Sequence, residues 1–461
     1  MRYISTRGQA EPVDFATACL AGLAPDGGLY IPEDWPKIAP ARPDESYVSV
    51  ATRVLSAFAG NALSEATIAE LCGRAYGRFS HQSVAPLVQT GPAQFMMELH
   101  HGPTLAFKDV AMQFIGELYD HILSERGERK SVVCATSGDT GGAAAAAFAG
   151  KESVDLFILH PHERVSPVQR LFMTTTGARN VHNLALQGDF DECQAIVKAL
   201  FGDSAFAQSV GLSGVNSINW ARIAAQSVYY ATAQAALGPD RPVRFVVPSG
   251  NMGDALAGYV AARCGLLAGF ETVCAVNENR TLETLFATGE MKRQAAVATP
   301  SPAMDISVPS NFERLMFEVS GRDSDLVRQI YGQYAQAGDA QLPPQIHGPL
   351  NCTGLSSKSV SNANTLEDMR QVLAETGTLI CPHTAVGTYV ARHLPDTDAV
   401  TIILSTAHAA KFPETVDAAT GHDAPLPERC DSLRERGEQF DIIASDISVV
   451  RDFIRSARMP A

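Results

Sequence analysis

The stretch that most restricts how this chain can fold is Ser131–Gly142. Val132–Ala135 is a short apolar run, the residues from Thr136 to Gly142 are small and rich in glycine, and five alanines follow at 143–147. An apolar run of strand length, a glycine turn and a good helix former read as one strand–turn–helix unit. The pattern recurs at Val243–Val247, which runs through Pro248-Ser249-Gly250-Asn251-Met252-Gly253-Asp254 into another helical segment. Further buried strands are expected at 156–159, 181–186, 272–276, 378–380 and 400–404. Apolar strands separated by helices belong to a mostly parallel sheet covered on both faces. Two clusters of this kind, around 130–215 and 240–410, predict two α/β domains with a cleft between them. Ahead of them, residues 1–85 carry a turn at 26–32 and helical spacing over 47–58 and 63–76, with little catalytic chemistry. They predict a separate helical module for packing or dimerisation.

In open α/β sheets ligands bind beyond the carboxyl ends of the strands. Three segments arrive there with small polar residues: Ser137–Gly142, Ser249–Gly253, and Ser405-Thr406-Ala407-His408. Glycine loops ahead of helices expose N–H groups that suit phosphate or carboxylate. Ser249–Gly253 is a candidate phosphate cradle and Ser137–Gly142 a candidate carboxylate site, although a plain tight turn explains either one alone. Neither matches a nucleotide-binding glycine motif. Thr406 supplies a hydroxyl at a strand end, for capping or for a ring nitrogen. The remaining feature is His101-Gly102-Pro103-Thr104-Leu105-Ala106-Phe107-Lys108-Asp109. A helical stripe of Val110, Phe114, Leu118 and Ile122 follows the Gly-Pro breaker, so Lys108 opens a helix. A cation gains nothing from a helix N-terminus. A reactive amine does gain, because positive surroundings and burial free its lone pair. A reactive lysine, a phosphate cradle, a carboxylate-sized loop and a strand-end hydroxyl together suit pyridoxal 5'-phosphate.

The charge balance excludes other classes. Formal net charge is -14, which repels nucleic acid and anionic membranes. No apolar run is long enough to span a bilayer. Nine cysteines are scattered without a C-x-x-C, and His160 with His162 lacks a further ligand at metal spacing. That usage predicts reduced thiols in the cytoplasm and no metal site.

The chain resembles the threonine synthase family, of the longer fungal and bacterial type, over nearly its whole length. The resemblance rests on D-G-G-L-Y-I-P at 26–32, H-G-P-T-L-A-F-K-D at 101–109, T-S-G-D-T-G at 136–141 and S-P-V-Q-R at 166–170. It continues with V-N-S-I-N-W-A-R-I at 215–223, P-S-G-N-M-G-D at 248–254, S-N-F-E-R-L-M-F-E at 310–318 and S-T-A-H-A-A-K-F-P-E at 405–414. Met252 and Ala409 stand where the family usually has Phe and Pro.

The resemblance implies a tryptophan-synthase-β-like fold (fold type II of pyridoxal phosphate enzymes). It would comprise a module at 1–85, a large cofactor-binding α/β domain at 86–130 and 216–461, and a small α/β domain at 131–215. It implies conversion of O-phospho-L-homoserine and water to L-threonine and phosphate, the last step of threonine biosynthesis. Lys108 would hold the cofactor as a Schiff base and act as general acid and base. Ser249, Gly250, Asn251, Met252 and Gly253 would bind the cofactor phosphate, and Thr406 would face the pyridine nitrogen. Ser137, Gly138, Asp139 and Thr140 would meet the substrate. Arg164, Arg170, Arg222 and Lys411 are candidates for the substrate phosphate, with Arg170 placed among the substrate-binding residues; each also suits a salt bridge. Asn216 and Asn219 suit either the cleft or a helix cap.

A phospho-lyase on the same fold, releasing 2-oxobutyrate, would keep Lys108 and the glycine loop. A non-catalytic metabolite-binding homologue would keep the fold alone. Monomer and homodimer both stay open at this level.

Overall fold

The computed structural model describes residues 1–458. Two sheets organise it. The larger has six strands in the order Leu355–Ser359, Glu271–Val276, Val243–Pro248, Val400–Ser405, Gln94–Glu98 and Leu87–Gly91. All neighbours are parallel except the hairpin formed by Leu87–Gly91 and Gln94–Glu98. The smaller has five parallel strands in the order Asp441–Ala444, Val181–Gln187, Val154–Pro161, Lys130–Ala135 and Leu212–Ser213. The central strands Val243–Pro248 and Val154–Pro161 are buried at every residue. That is what a parallel sheet covered by helices on both faces requires.

The smaller sheet corrects one boundary. Residues 441–457 were expected in the large unit, yet Asp441–Ala444 pairs with Val181–Gln187, and the helix Ile447–Ala457 buries Val450 and Ile454 in the same small core. Strand order is a non-local property that spacing along the chain does not carry. Two strand assignments also differ. Residues 378–380 form no strand, and Leu355–Ser359 occupies the sheet edge instead.

Residues 1–85 pack as a helical module with the short hairpin Tyr3–Ser5 and Tyr30–Pro32. Helix Tyr47–Ala59 starts at Ser46, whose hydroxyl accepts from Ser49 N, and it buries Val50, Val54, Leu55 and Phe58. Phe58 and Tyr3 close on the indole of Trp220, at 5.6 and 5.9 Å between ring centroids. Trp220 opens the helix Trp220–Leu237, and the cap is Asn219, whose side chain accepts from Ala221 N at 3.0 Å. Asn219 Nδ2 also donates to Cys19 O at 2.8 Å, tying the module to the start of the helix Trp220–Leu237. Of its two expected roles, the cap is the one the geometry gives Asn219.

Candidate active site

Lys108 is the first residue of the helix Lys108–Arg126, which is buried on nearly all sides. The loop before it is held in two ways. Asp109 accepts from Thr104 N at 2.8 Å and from Thr104 Oγ1 at 2.7 Å, and a Cβ on Gly102 would lie 2.4 Å from Asp109. The loop is also zipped to the segment after Val400–Ser405. Phe107 N donates to Thr406 O at 2.8 Å, His408 N donates to Leu105 O at 3.0 Å, and Ala106 bridges to Ala407. This pairing brings Thr406, at the end of one strand, beside the lysine that opens a helix from another part of the chain. Thr406 is buried, and its hydroxyl makes no hydrogen bond among the described residues.

The Lys108 side chain is 12% exposed, and its Nζ lies 3.2 Å from Asp139 Oδ2. Burial pushes its ammonium below the ordinary lysine value, Asp139 pulls the other way, and the cations Arg222 and Lys411 push it down further. Asp139 opens the helix Asp139–Phe148. Burial would raise its carboxyl, but Lys411, Lys108, His383 and a hydrogen bond from Gln169 outweigh that and hold it far below the usual carboxylate range.

The turn at 136–142 is built on Thr136, whose Oγ1 accepts from Gly138 N at 2.9 Å and Gly141 N at 3.0 Å. Asp139 N and Thr140 N are left without acceptors among the described residues. Gly138 has φ +138°, and a Cβ there would sit 2.5 Å from Gln169, so only glycine serves.

The second turn ends Val243–Pro248 and starts the helix Gly253–Arg263 through Met252 at φ +60°. The N–H groups of Gly250, Asn251, Met252 and Gly253 make no hydrogen bond among the described residues. Four convergent donors at a helix N-terminus form an anion nest. Ser249 points its hydroxyl back to Val247 O at 3.0 Å. The nest is braced from outside by Ser310 and Asn311: Ser310 Oγ donates to Asn251 Oδ1 at 3.0 Å, and Asn311 N to Asn251 O at 3.1 Å.

Among the expected cations, Arg170 is engaged elsewhere. Its Nε and Nη2 meet Glu438 at 2.7 and 2.9 Å, and it is Gln169, the preceding residue, that reaches Asp139 at 2.8 Å. Lys411 is fully buried on Asp139 Oδ1 at 2.9 Å. Arg222 is buried, with its guanidinium pushed down to about 10 by burial, and its Nε lacks a partner among the described residues. Its neighbour Asp254 is pushed up to about 6 by burial while Tyr229 and Tyr230 donate to one of its oxygens.

Three further residues were not singled out from the sequence. Gln169 lay inside a recognised motif. His383, at the start of Pro382–Arg392, is buried beside Phe412 and pushed down to about 4 by burial. Arg314 donates to Tyr30 O at 2.9 Å, Asn311 Oδ1 at 2.6 Å and Ile218 O at 2.5 Å, linking the N-terminal module to the brace of the anion nest. An arginine beside Glu313 in a motif whose other residues, Phe312, Leu315, Met316 and Phe317, are apolar was the available signal. Among the described residues, no group of His, Cys, Asp and Glu could hold a metal ion.

Comparison with known proteins agrees over the whole length. The family description "Threonine synthase N terminus" matches residues 2–76, "Pyridoxal-phosphate dependent enzyme" matches 84–339, and "Threonine synthase, C-terminal" matches 384–454. Among curated relatives, threonine synthase of Pseudomonas aeruginosa is 42% identical, with 98% of each chain covered. That of Saccharomyces cerevisiae is 39% identical, covering 98% of this chain and 97% of its own. Among solved structures, PLP-bound threonine synthase from Brucella melitensis superposes with a TM-score of 0.94 at 45% identity and 99% coverage of both chains.

Proposed function

Because this chain belongs to the threonine synthase family of pyridoxal-phosphate-dependent enzymes, we propose that its substrate is O-phospho-L-homoserine, converted with water to L-threonine and phosphate. The observation that carries the reading is the zipped pair of loops at 105–107 and 406–408, which brings the largely enclosed Lys108 next to Thr406, whose hydroxyl is unpaired among the described residues.

The residues present suit the cofactor. Gly250 to Gly253 offer four free N–H donors to its phosphate, and a Cβ on Gly250 would meet Ile306 at 2.9 Å and Ala303 O at 3.0 Å. Lys108 is the amine to hold its aldehyde, and Thr406 the hydroxyl to face its ring nitrogen. When bound, the cofactor supplies an electron sink for charge developing at the substrate's Cα. Lys108 then has three tasks at neighbouring carbons. It takes the proton from Cα, takes one from Cβ as phosphate leaves Cγ, delivers one to Cγ, and returns one to Cα once water has added at Cβ. One flexible amine with a lowered proton affinity can serve all three. A hydroxyl at Thr406, unlike a carboxylate, adds no formal negative charge beside the ring and so favours elimination over amino transfer. Asp139 N and Thr140 N, with the Ser137 hydroxyl, are donors for the substrate carboxylate. Burial of Lys108 and Asp139 keeps bulk water from the proton transfers.

The test is incubation with O-phospho-L-homoserine while phosphate and threonine are both followed. Equal yields are expected. Phosphate with 2-oxobutyrate and no threonine would overturn the reading. Nine unpaired cysteines, eight of them buried, support a reducing compartment, and we assign the enzyme to the cytoplasm. Among the described residues no helix is long and apolar enough to cross a membrane.

A further inference from the structure

Asp139 carries a cation on each oxygen. Lys108 Nζ lies 3.2 Å from Oδ2, and Lys411 Nζ lies 2.9 Å from Oδ1, where Gln169 Nε2 also donates at 2.8 Å. The Lys411 side chain is 0% exposed. Its other partner is Thr104 O at 2.6 Å, in the loop that leads to Lys108. A buried ammonium is costly unless a negative charge and hydrogen bonds oppose it. Lys411 has both, and both belong to the surroundings of Lys108. A cation placed for an incoming ligand would keep donors free toward open space, and this one is enclosed.

We propose that Lys411 is a positioning residue: by holding Oδ1 it fixes Asp139 as a carboxylate and leaves Oδ2 to govern the charge on the Lys108 nitrogen. Unshared, Asp139 would bind Lys108 as a full ion pair, and a firmly protonated amine neither attacks an aldehyde nor takes a proton. Shared, it pulls less. Lys411 also adds a repelling charge near Lys108, in line with the lowered proton affinity of that amine. Once the Lys108 nitrogen is committed to the cofactor, Lys411 remains, so the buried carboxylate keeps a counter-ion. The other charged or titratable groups facing Lys108, Asp139 and Lys411 are Arg222, Asp254, His383, Cys381, Asp109, His408 and Cys430. All stay in place in the variants below.

The inference rests on Lys108 being the cofactor lysine, and its test is separable from turnover. The full-length protein is freed of cofactor and labelled with acetic anhydride across pH, and the peptide containing Lys108 is read by mass spectrometry. Lys411→Met is expected to move the labelling midpoint up by about one pH unit, Asp139→Asn down by a similar amount, and Lys411→Arg little. In the loaded protein, the pH midpoint of the visible absorption band is expected to move in the same two directions. An unchanged midpoint in Lys411→Met, or a shift in the same direction as Asp139→Asn, would overturn the proposal. Should Lys411→Met fail to fold, Lys411→Gln retains a donor to Thr104 O without the charge, and the same two outcomes apply. Opposite shifts without threonine formation by the wild type would uphold the positioning role and reject the proposed reaction; threonine formation without the shifts would do the reverse.

Discussion

A lysine in the first turn of a helix faces the positive end of the peptide dipoles, and Lys108 is also largely enclosed there, its side chain 12% exposed. Both effects favour the neutral amine. Lys108→Ala is therefore expected to lower turnover by about 10³-fold or more and to abolish the borohydride-sensitive visible band, with near-UV circular dichroism unchanged. Arg314 has the opposite character. It is fully buried, burial pushes its guanidinium down to about 9, and each of its three nitrogens donates to a main-chain or amide oxygen inside the protein. Arg314→Leu leaves those acceptors unpaired and is expected to cost about 3 kcal/mol or more, read from urea denaturation. The two residues also differ in how far a sequence discloses them. Lys108 stands out because a Gly-Pro breaker and an apolar stripe surround it. Arg314 draws its partners from residues 30, 218 and 311, which only folding brings together. Lys411 is a mixed case: its charge is visible along the chain, its enclosure is not.

The two glycine turns do their work as elements, through the N–H groups that their curvature turns inward. In the turn at 249–253 a methyl on Gly250 would collide with Ile306 and Ala303 O. Gly250→Ala is expected to raise the dissociation constant for pyridoxal 5'-phosphate by about tenfold or more with a smaller loss of stability, measured by fluorescence titration. Strands that enter such turns were legible because each is a run of apolar residues closed by glycine or proline, as in Val243–Pro248. Leu355–Ser359 was not, since Leu-Ser-Ser-Lys-Ser lies on a sheet edge with alternate residues exposed and needs no apolar run. Residues 378–380 misled for the converse reason. Thr-Leu-Ile is apolar because Ile380 packs into a side cluster with Met369 and Val372, not because it joins a ladder. Helix Lys108–Arg126 shows a further limit: its stripe was readable, but its burial on the remaining faces depends on which neighbours the topology supplies.

At the scale of the whole molecule, several histidines are folded in as neutral rings. Burial pushes His160, His383 and His408 down to about 4 and His100 to about 3. A group depressed in the folded state lends stability above its unfolded value of about 6.5, and that stability drains as pH falls toward the folded value. Asp254, raised to about 6 by burial, works against them, as do Asp109, Asp305 and Asp368, whose carboxyls burial also raises. Unfolding near pH 5 is thus expected to take up protons on balance, and Tm to fall steadily from pH 7 to pH 4.5, followed by calorimetry. The smaller sheet is a different kind of whole-chain property. Its outer strand comes from Asp441–Ala444, and the helix after it closes the core beneath. While the chain is being synthesised, the edge of Val181–Gln187 waits for a partner that is translated long after it, and an open parallel edge is a template for strangers. A chain ended at residue 440 is expected to sediment as aggregate where the full chain does not. Timing, then, is part of this architecture: residues 130–213 leave the ribosome long before 441–457 complete their sheet, and a stop codon just ahead of residue 441 would leave that sheet with an open edge.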